Sequence, residues 1–176
     1  MKFLKGGAAL AAACSILYGC TAMQQISFDS SGVAGGDAPE TMLALSVHPE
    51  FLPDETDATT EELADIESFV GAFAQHFSAD FPARLEERGV QSRDPGRGIP
   101  LLRIRASASR RNCHNNGQQY CDTEVRIDGA LLDSSGARVW WFSEWVTPGQ
   151  MNPRSYDAFY KNLLDRMVKD QAIASG

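Results

Sequence analysis

The chain has 176 residues, 16 Lys and Arg against 23 Asp and Glu, and a formal charge of −7 at pH 7. That length suits one domain with a sizeable core. The acidic balance argues against nucleic acid, whose binders carry a basic footprint.

Lys2 and Lys5, an apolar run over 6–19 and then Cys20 form the three parts of a secretion signal. The run is shorter than the ~18 residues a membrane span needs. Its end, Leu17-Tyr18-Gly19-Cys20, resembles the bacterial lipobox, with Tyr18 bulkier than the usual occupant. The resemblance implies that Cys20 is lipidated, with a diacylglycerol on its sulfur and an acyl chain on the new amino end. Several chains together make a stable anchor where one holds only marginally. A plain secretory leader is the alternative, and Cys14 would leave too short an apolar core. Thr21 stands where an aspartate would resemble an inner-membrane retention signal. In a diderm bacterium the expected address is therefore the inner leaflet of the outer membrane, facing the periplasm. Cleavage removes Lys2 and Lys5, so −7 falls by two to −9.

The expected organisation is a leader over 1–19, a lipidated tether over 20–40 and a single domain over 41–176. The tether is small and polar, with Ser30-Ser31-Gly32 and Gly35-Gly36, and Ile26-Ser27-Phe28 as a short strand. It would span ~60 Å at ~3.3 Å per residue. Leu43, Leu45 and Val47 alternate with Met42, Ala44 and Ser46, which predicts a strand over 41–48. Thr59-Thr60-Glu61-Glu62 reads as a capping box opening a helix. Its stripe is Leu63, Ile66, Val70, Phe73 and Phe77, with Phe69 and Phe81 beside it. Pro82 should break or kink this helix, Ala83 to Arg88 can resume it, and Gly89 suits its stop.

Leu102, Ile104, Ala106 and Ala108 predict one dry strand face, opposite Arg103, Arg105, Ser107 and Ser109. Val125, Ile127, Gly129 and Leu131 predict the next. Asp133-Ser134-Ser135-Gly136 predicts a three-residue hairpin loop with Gly136 left-handed. Counting back opposes Leu131 with Val139, Gly129 with Trp141, Ile127 with Ser143 and Val125 with Trp145, and pairs Arg126 with Glu144. Asn152 and Pro153 start a second helix, buried through Tyr156, Phe159, Tyr160, Leu163, Met167 and Gln171. The fold class is α+β: a two-layer, mainly antiparallel sheet of about four strands with two helices packed on one face.

With Cys20 acylated, Cys113 and Cys121 remain as a disulfide pair in an oxidising compartment. A zinc site on Cys113, His114 and Cys121 lacks a fourth ligand. Both cysteines are odd-numbered, whereas the dry faces set even positions against odd ones. Either a bulge intervenes or the bridge lies beyond the last rung. Arg103, Arg105, Arg110 and Arg111 fit a patch for anionic partners or a solvated face paired with Glu124 and Asp128. Trp140 and Phe142, opposite Trp141, are an interaction face if uncovered and core if covered. His76 reads as a boundary residue. The chain contains no catalytic elbow, zinc-protease or phosphate-loop motif. No catalytic residue, metal or cofactor is expected.

The lipobox, the element order and Leu131-Leu132-Asp133-Ser134-Ser135-Gly136-Ala137-Arg138-Val139-Trp140 together resemble small envelope lipoproteins. These are the lipopolysaccharide-assembly, ABC-transport auxiliary and penicillin-binding-protein-activator lipoproteins. The resemblance implies a membrane-anchored, non-catalytic accessory protein of an envelope transport or assembly complex. A module binding lipid or glycan phosphate on the arginine strand is the second reading, and a periplasmic hydrolase the third.

Overall fold

A computed structural model describes residues 30–33, 39–115 and 119–174. The leader, Cys20 and the strand expected at Ile26-Ser27-Phe28 lie outside the described residues. The elements are β1 (Ser30–Val33), β2 (Met42–Val47), β3 (Glu55–Thr56), α1 (Thr60–Glu87), β4 (Gln91–Arg93), β5 (Leu101–Asn115), β6 (Gln119–Leu132), β7 (Arg138–Val146) and α2 (Pro153–Lys169). The strands form one sheet in the order β1-β7-β6-β5-β2-β4, with β3 beside the far half of β5. The α+β expectation therefore holds, with more strands than the expected four.

The extra strands are short. Ser30–Val33 falls within the stretch read as tether and runs antiparallel to β7. Long β5, β6 and β7 are antiparallel, whereas β2 runs parallel to both β5 and β4. A parallel pair needs a crossover, and α1 supplies it between β2 and β5.

Thr59 caps α1 as its sequence predicts. Its hydroxyl accepts from the Glu62 amide at 3.3 Å, and the Glu62 carboxylate accepts from the Thr59 amide at 2.7 Å. The helix does not break at Pro82 but runs on to Glu87. Proline removes one internal hydrogen bond, here the one to the Ser78 carbonyl. Ser78 is exposed, so water can take that carbonyl, and continuing the helix buries Phe81 and Leu85 completely. Gly89, at φ 78°, then ends it, with the Gly89 amide bonded to Glu86 and the Val90 amide to Leu85.

The helices meet through aromatic rings: Phe73 and Phe77 reach Phe159 at 5.7 and 6.4 Å, and Phe77 reaches Tyr160 at 5.2 Å. Beneath them lie Leu43, Leu102, Ile104, Val125, Ile127 and Leu131 of the sheet. The Tyr160 hydroxyl is buried here without a hydrogen-bond partner among the described residues, which costs about 1–3 kcal/mol. Gln171, expected on the α2 stripe, lies past the helix end and is exposed, with φ 58°.

Two bulges govern which side chains face the helices. One separates Ala106 from Ala108, so that Ala106 opposes Ile127 while Ala108 opposes Arg126. This is the first of the two ways of reconciling the odd cysteines: beyond the bulge Cys113 stands directly across from Cys121. The other lies at Val139. The loop itself is as expected, with the Asp133 amide bonded to the Ala137 carbonyl and Gly136 at φ 86°. Leu132 opposes Arg138, but Leu131 then opposes Trp140, Gly129 opposes Phe142 and Ile127 opposes Glu144. The expected register is therefore off by one, and one residue of slip exchanges the two faces of a strand. Trp141, Ser143 and Trp145 turn away from the helices, and the Arg126–Glu144 pair gives way to Arg126 opposite Trp145.

Candidate functional site

Trp140 and Phe142 are core. They are 0% and 1% exposed and sit 5.6 Å apart, and Phe142 is 6.3 Å from Phe159 of α2. An interaction face built on these two is thereby corrected, because the bulge at Val139 points them under the helices. The Trp140 indole N–H donates to Asp170 at 3.0 Å, so its polar edge is satisfied.

The four arginines separate. Arg111 lies on the helix side of the hairpin arm and donates to both Glu62 oxygens, at 2.9 and 2.8 Å. Arg110 donates to Glu124 at 2.7 Å and lies 4.1 Å from the centre of the Trp145 ring. Arg105 donates to Asp54 at 2.6 Å. Arg103 is exposed and has no ion pair among the described residues. Of the acidic partners expected, Glu124 holds Arg110, while Asp128 instead sits 3.5 Å from Arg126 and accepts from the Ser143 hydroxyl at 2.8 Å.

Arg103 and Arg105 line a cleft on the outer sheet face together with Trp141, Ser143, Asp128, Ala130 and Arg138, with a volume of about 500 Å³. Sequence reasoning missed Arg138 and Trp141 as members. Arg138 keeps its expected place opposite Leu132, and only its closeness to the β5 arginines goes unread, whereas the expected register puts Trp141 on the dry side. The signal for Trp141 would have been an extra residue in β7, and nothing in Arg-Val-Trp-Trp-Phe marks one.

Cys113 and Cys121 are bonded, closing the hairpin tip across a separation of 8 residues. The arm is tied to the start of α1 by Glu62, which also lies 3.4 Å from the Thr123 hydroxyl. The Thr59 hydroxyl and amide, followed by Arg111, hold the Glu62 carboxyl down to about 2 from its ordinary 4.5. A depressed carboxyl stabilises the fold fully above its unfolded value and loses that contribution as pH falls through its folded value. Replacing it by Glu62→Gln should lower the melting temperature by a few degrees at pH 7, with the gap to wild type closing between pH 4.5 and 2. Thermal melts across that range check this, and a gap independent of pH would refute it.

His48 and His76 are both exposed. His48 bonds locally to Glu50, and His76 stacks on Tyr156 at 5.0 Å. Neither lines the outer cleft or the second groove, between α1 and β2–β4, which contains Leu45, Ser78, Pro82, Glu86, Ser92 and Arg93. No group of three His, Cys, Asp or Glu among the described residues is placed to hold a metal.

No protein family matches the sequence, and no curated protein does. Among solved structures the similarity is to bacterial lipoproteins and to PelC. The PelC dodecamer of Paraburkholderia phytofirmans is 14% identical, with a TM-score of 0.39 over 82% of this chain and 99% of that one. The minor lipoprotein of Acinetobacter baumannii gives 15% and 0.31, over 76% and 84%. Rare lipoprotein B of Shewanella oneidensis gives 13% and 0.32, over 74% and 86%. The likeness is distant and concerns the layout of the chain alone.

Proposed function

We propose that the protein is a lipid-anchored accessory lipoprotein of the cell envelope, facing the periplasm from the outer membrane, that works by binding through its outer sheet face. The observation that carries this is the position of β1. Ser30 is already in the sheet, roughly ten residues after Cys20 and so within ~35 Å of any lipid on that cysteine. A leash of that length keeps the domain near the membrane while both helices cover only the other side of the sheet. The outer face then carries Trp141, Trp145, Arg103 and Arg110, a mixture of aromatic and guanidinium groups typical of interaction surfaces. The carboxylates of Glu62, Asp54 and Glu124 serve a helix cap and ion pairs, which supports binding rather than chemistry.

Mass spectrometry of the protein purified from membranes tests the anchor. A triacylated amino-terminal Cys20 is expected, and Cys20→Ala should release the protein into the soluble fraction. Crosslinking in intact cells tests the role, with an envelope complex captured by wild type. An unmodified polypeptide mass would overturn the anchor, and capture of no envelope component would overturn the accessory role.

A further inference from the structure

We infer that the outer cleft binds an acidic saccharide, a sugar chain bearing carboxylate or phosphate groups. The inference rests on the binding role proposed above for this face and names its ligand. Strand register explains the cleft: Arg103 of β5 opposes Ala130 of β6, which opposes Trp141 of β7, which opposes Gly32 of β1. The small Ala130 leaves a low floor between two tall neighbours. Arg103 and Arg105 make one wall, Trp141 the other, with Arg138 at one end and Asp128 with Ser143 at the other.

Charge decides what fits. Arg105, Arg110 and Arg111 each hold a carboxylate, whereas Arg103 and Arg138 are exposed and have none among the described residues. Two unbalanced guanidiniums beside one cleft of an acidic chain attract an anion and can hold it by paired hydrogen bonds. Trp141 adds apolar ring surface, as binding clefts of a few hundred Å³ commonly do. Asp128 disfavours a bare anion at its end of the cleft but accepts readily from hydroxyl groups. Guanidiniums, an indole and a hydroxyl acceptor in one concave site therefore suit a polyhydroxylated anion better than inorganic phosphate or a flat lipid surface.

Isothermal titration calorimetry on the lipidated protein in detergent tests this, with trigalacturonate and a phosphorylated mannose oligosaccharide as probes. Maltotriose, inorganic phosphate and glycerol phosphate serve as the neutral, free-anion and lipid-headgroup controls. At least one acidic saccharide should bind, weakened fivefold or more in Arg103→Gln and in Arg138→Gln. Arg154→Gln, exposed on α2 and outside the cleft, should bind as wild type, and circular dichroism should show all three variants folded. The inference is overturned if neither acidic saccharide binds at millimolar concentration, or if both cleft variants bind unchanged. It is equally overturned if maltotriose, phosphate or glycerol phosphate binds as tightly. Failure here leaves the anchor untouched, and an unlipidated mass would leave the titration interpretable.

Discussion

Adding one methyl group, Gly129→Ala, should destabilise the protein by about 3 kcal/mol or more. A Cβ built at Gly129 falls 2.0 Å from Cε1 of Phe142 and 2.6 Å from its Cδ1. The clash is with a ring that has nowhere to go, because Phe142 is 1% exposed and lies among Trp140 and Phe159. Interiors packed to crystal-like density transmit such an insertion to their neighbours instead of absorbing it. Urea unfolding of the variant gives the loss directly. A second substitution tests the cause: Phe142→Leu should recover part of the stability in the Gly129→Ala background, although it costs stability alone. Neighbours that share one space couple in this way. Trp141→Leu should recover nothing, since Trp141 lies against Gly32 on the other face, its Nε1 3.0 Å from where a Cβ would stand. A Gly129→Ala loss below about 1 kcal/mol, or rescue by the Trp141 variant, would refute the observed register.

That register marks the boundary of what could be read from residues. The caps were legible because Thr59 with Glu62, and Asn152 with Pro153, are local chemistry that depends on nothing far away. The dry faces were legible from Leu102 to Ala106 of β5 and from Val125 to Leu131 of β6, where apolar residues alternate with polar or small ones. Beyond the bulge Ala108 opposes Arg126 and Ser109 opposes Val125, the reverse of the expected faces. In β7 the alternation is uninformative. Trp and Phe occupy both faces, and a glutamate, Glu144, is 6% exposed on the helix side. Loop chemistry fixed the turn correctly, but the bulge at Val139 comes after the turn and reverses every later side chain. Short β1, β3 and β4 have too few apolar residues to alternate, and they exist because a neighbouring edge offers them hydrogen bonds. Edge pairing is a tertiary fact, so Ser-Ser-Gly-Val carries no trace of it.

The candidate site divides along the same line. The cysteine pair was legible from number and expected compartment, and the parity conflict offered a bulge as one of two explanations without locating it. The bulge puts Ser107 beside Arg126, whose Nε donates to the serine hydroxyl at 2.9 Å. It also carries Arg111 to the helix side, away from Arg103 and Arg105, and puts Arg110 on their face instead. Four arginines that read as one cluster thus have three different surroundings, and the cleft draws Arg138 from a strand end that sequence spacing does not connect to them.

Loss of the disulfide should have the second large effect. Cys113→Ser with Cys121→Ser should lower global stability by about 2–3 kcal/mol, the loop-closure value for a bridge of this span. The bridge matters more here than its span alone implies, because little apolar packing holds the arm beyond the bulge. Its other ties are Arg111 to Glu62, Arg110 and Asn112 to Glu124, and Ser109 to Thr56 at 2.5 Å. Partly exposed ion pairs of this sort contribute at most ~1 kcal/mol each. Amides of Arg110–Asn112 and Asp122–Glu124 should therefore exchange at least tenfold faster without the bridge. Those of Leu102, Ile104 and Ile127, buried under the helices, should change only as the global stability does. Hydrogen exchange on oxidised and double-serine protein separates the two classes. Equal acceleration in both would mean that the arm and the core open together, and no acceleration in either would mean that the polar ties hold the arm alone.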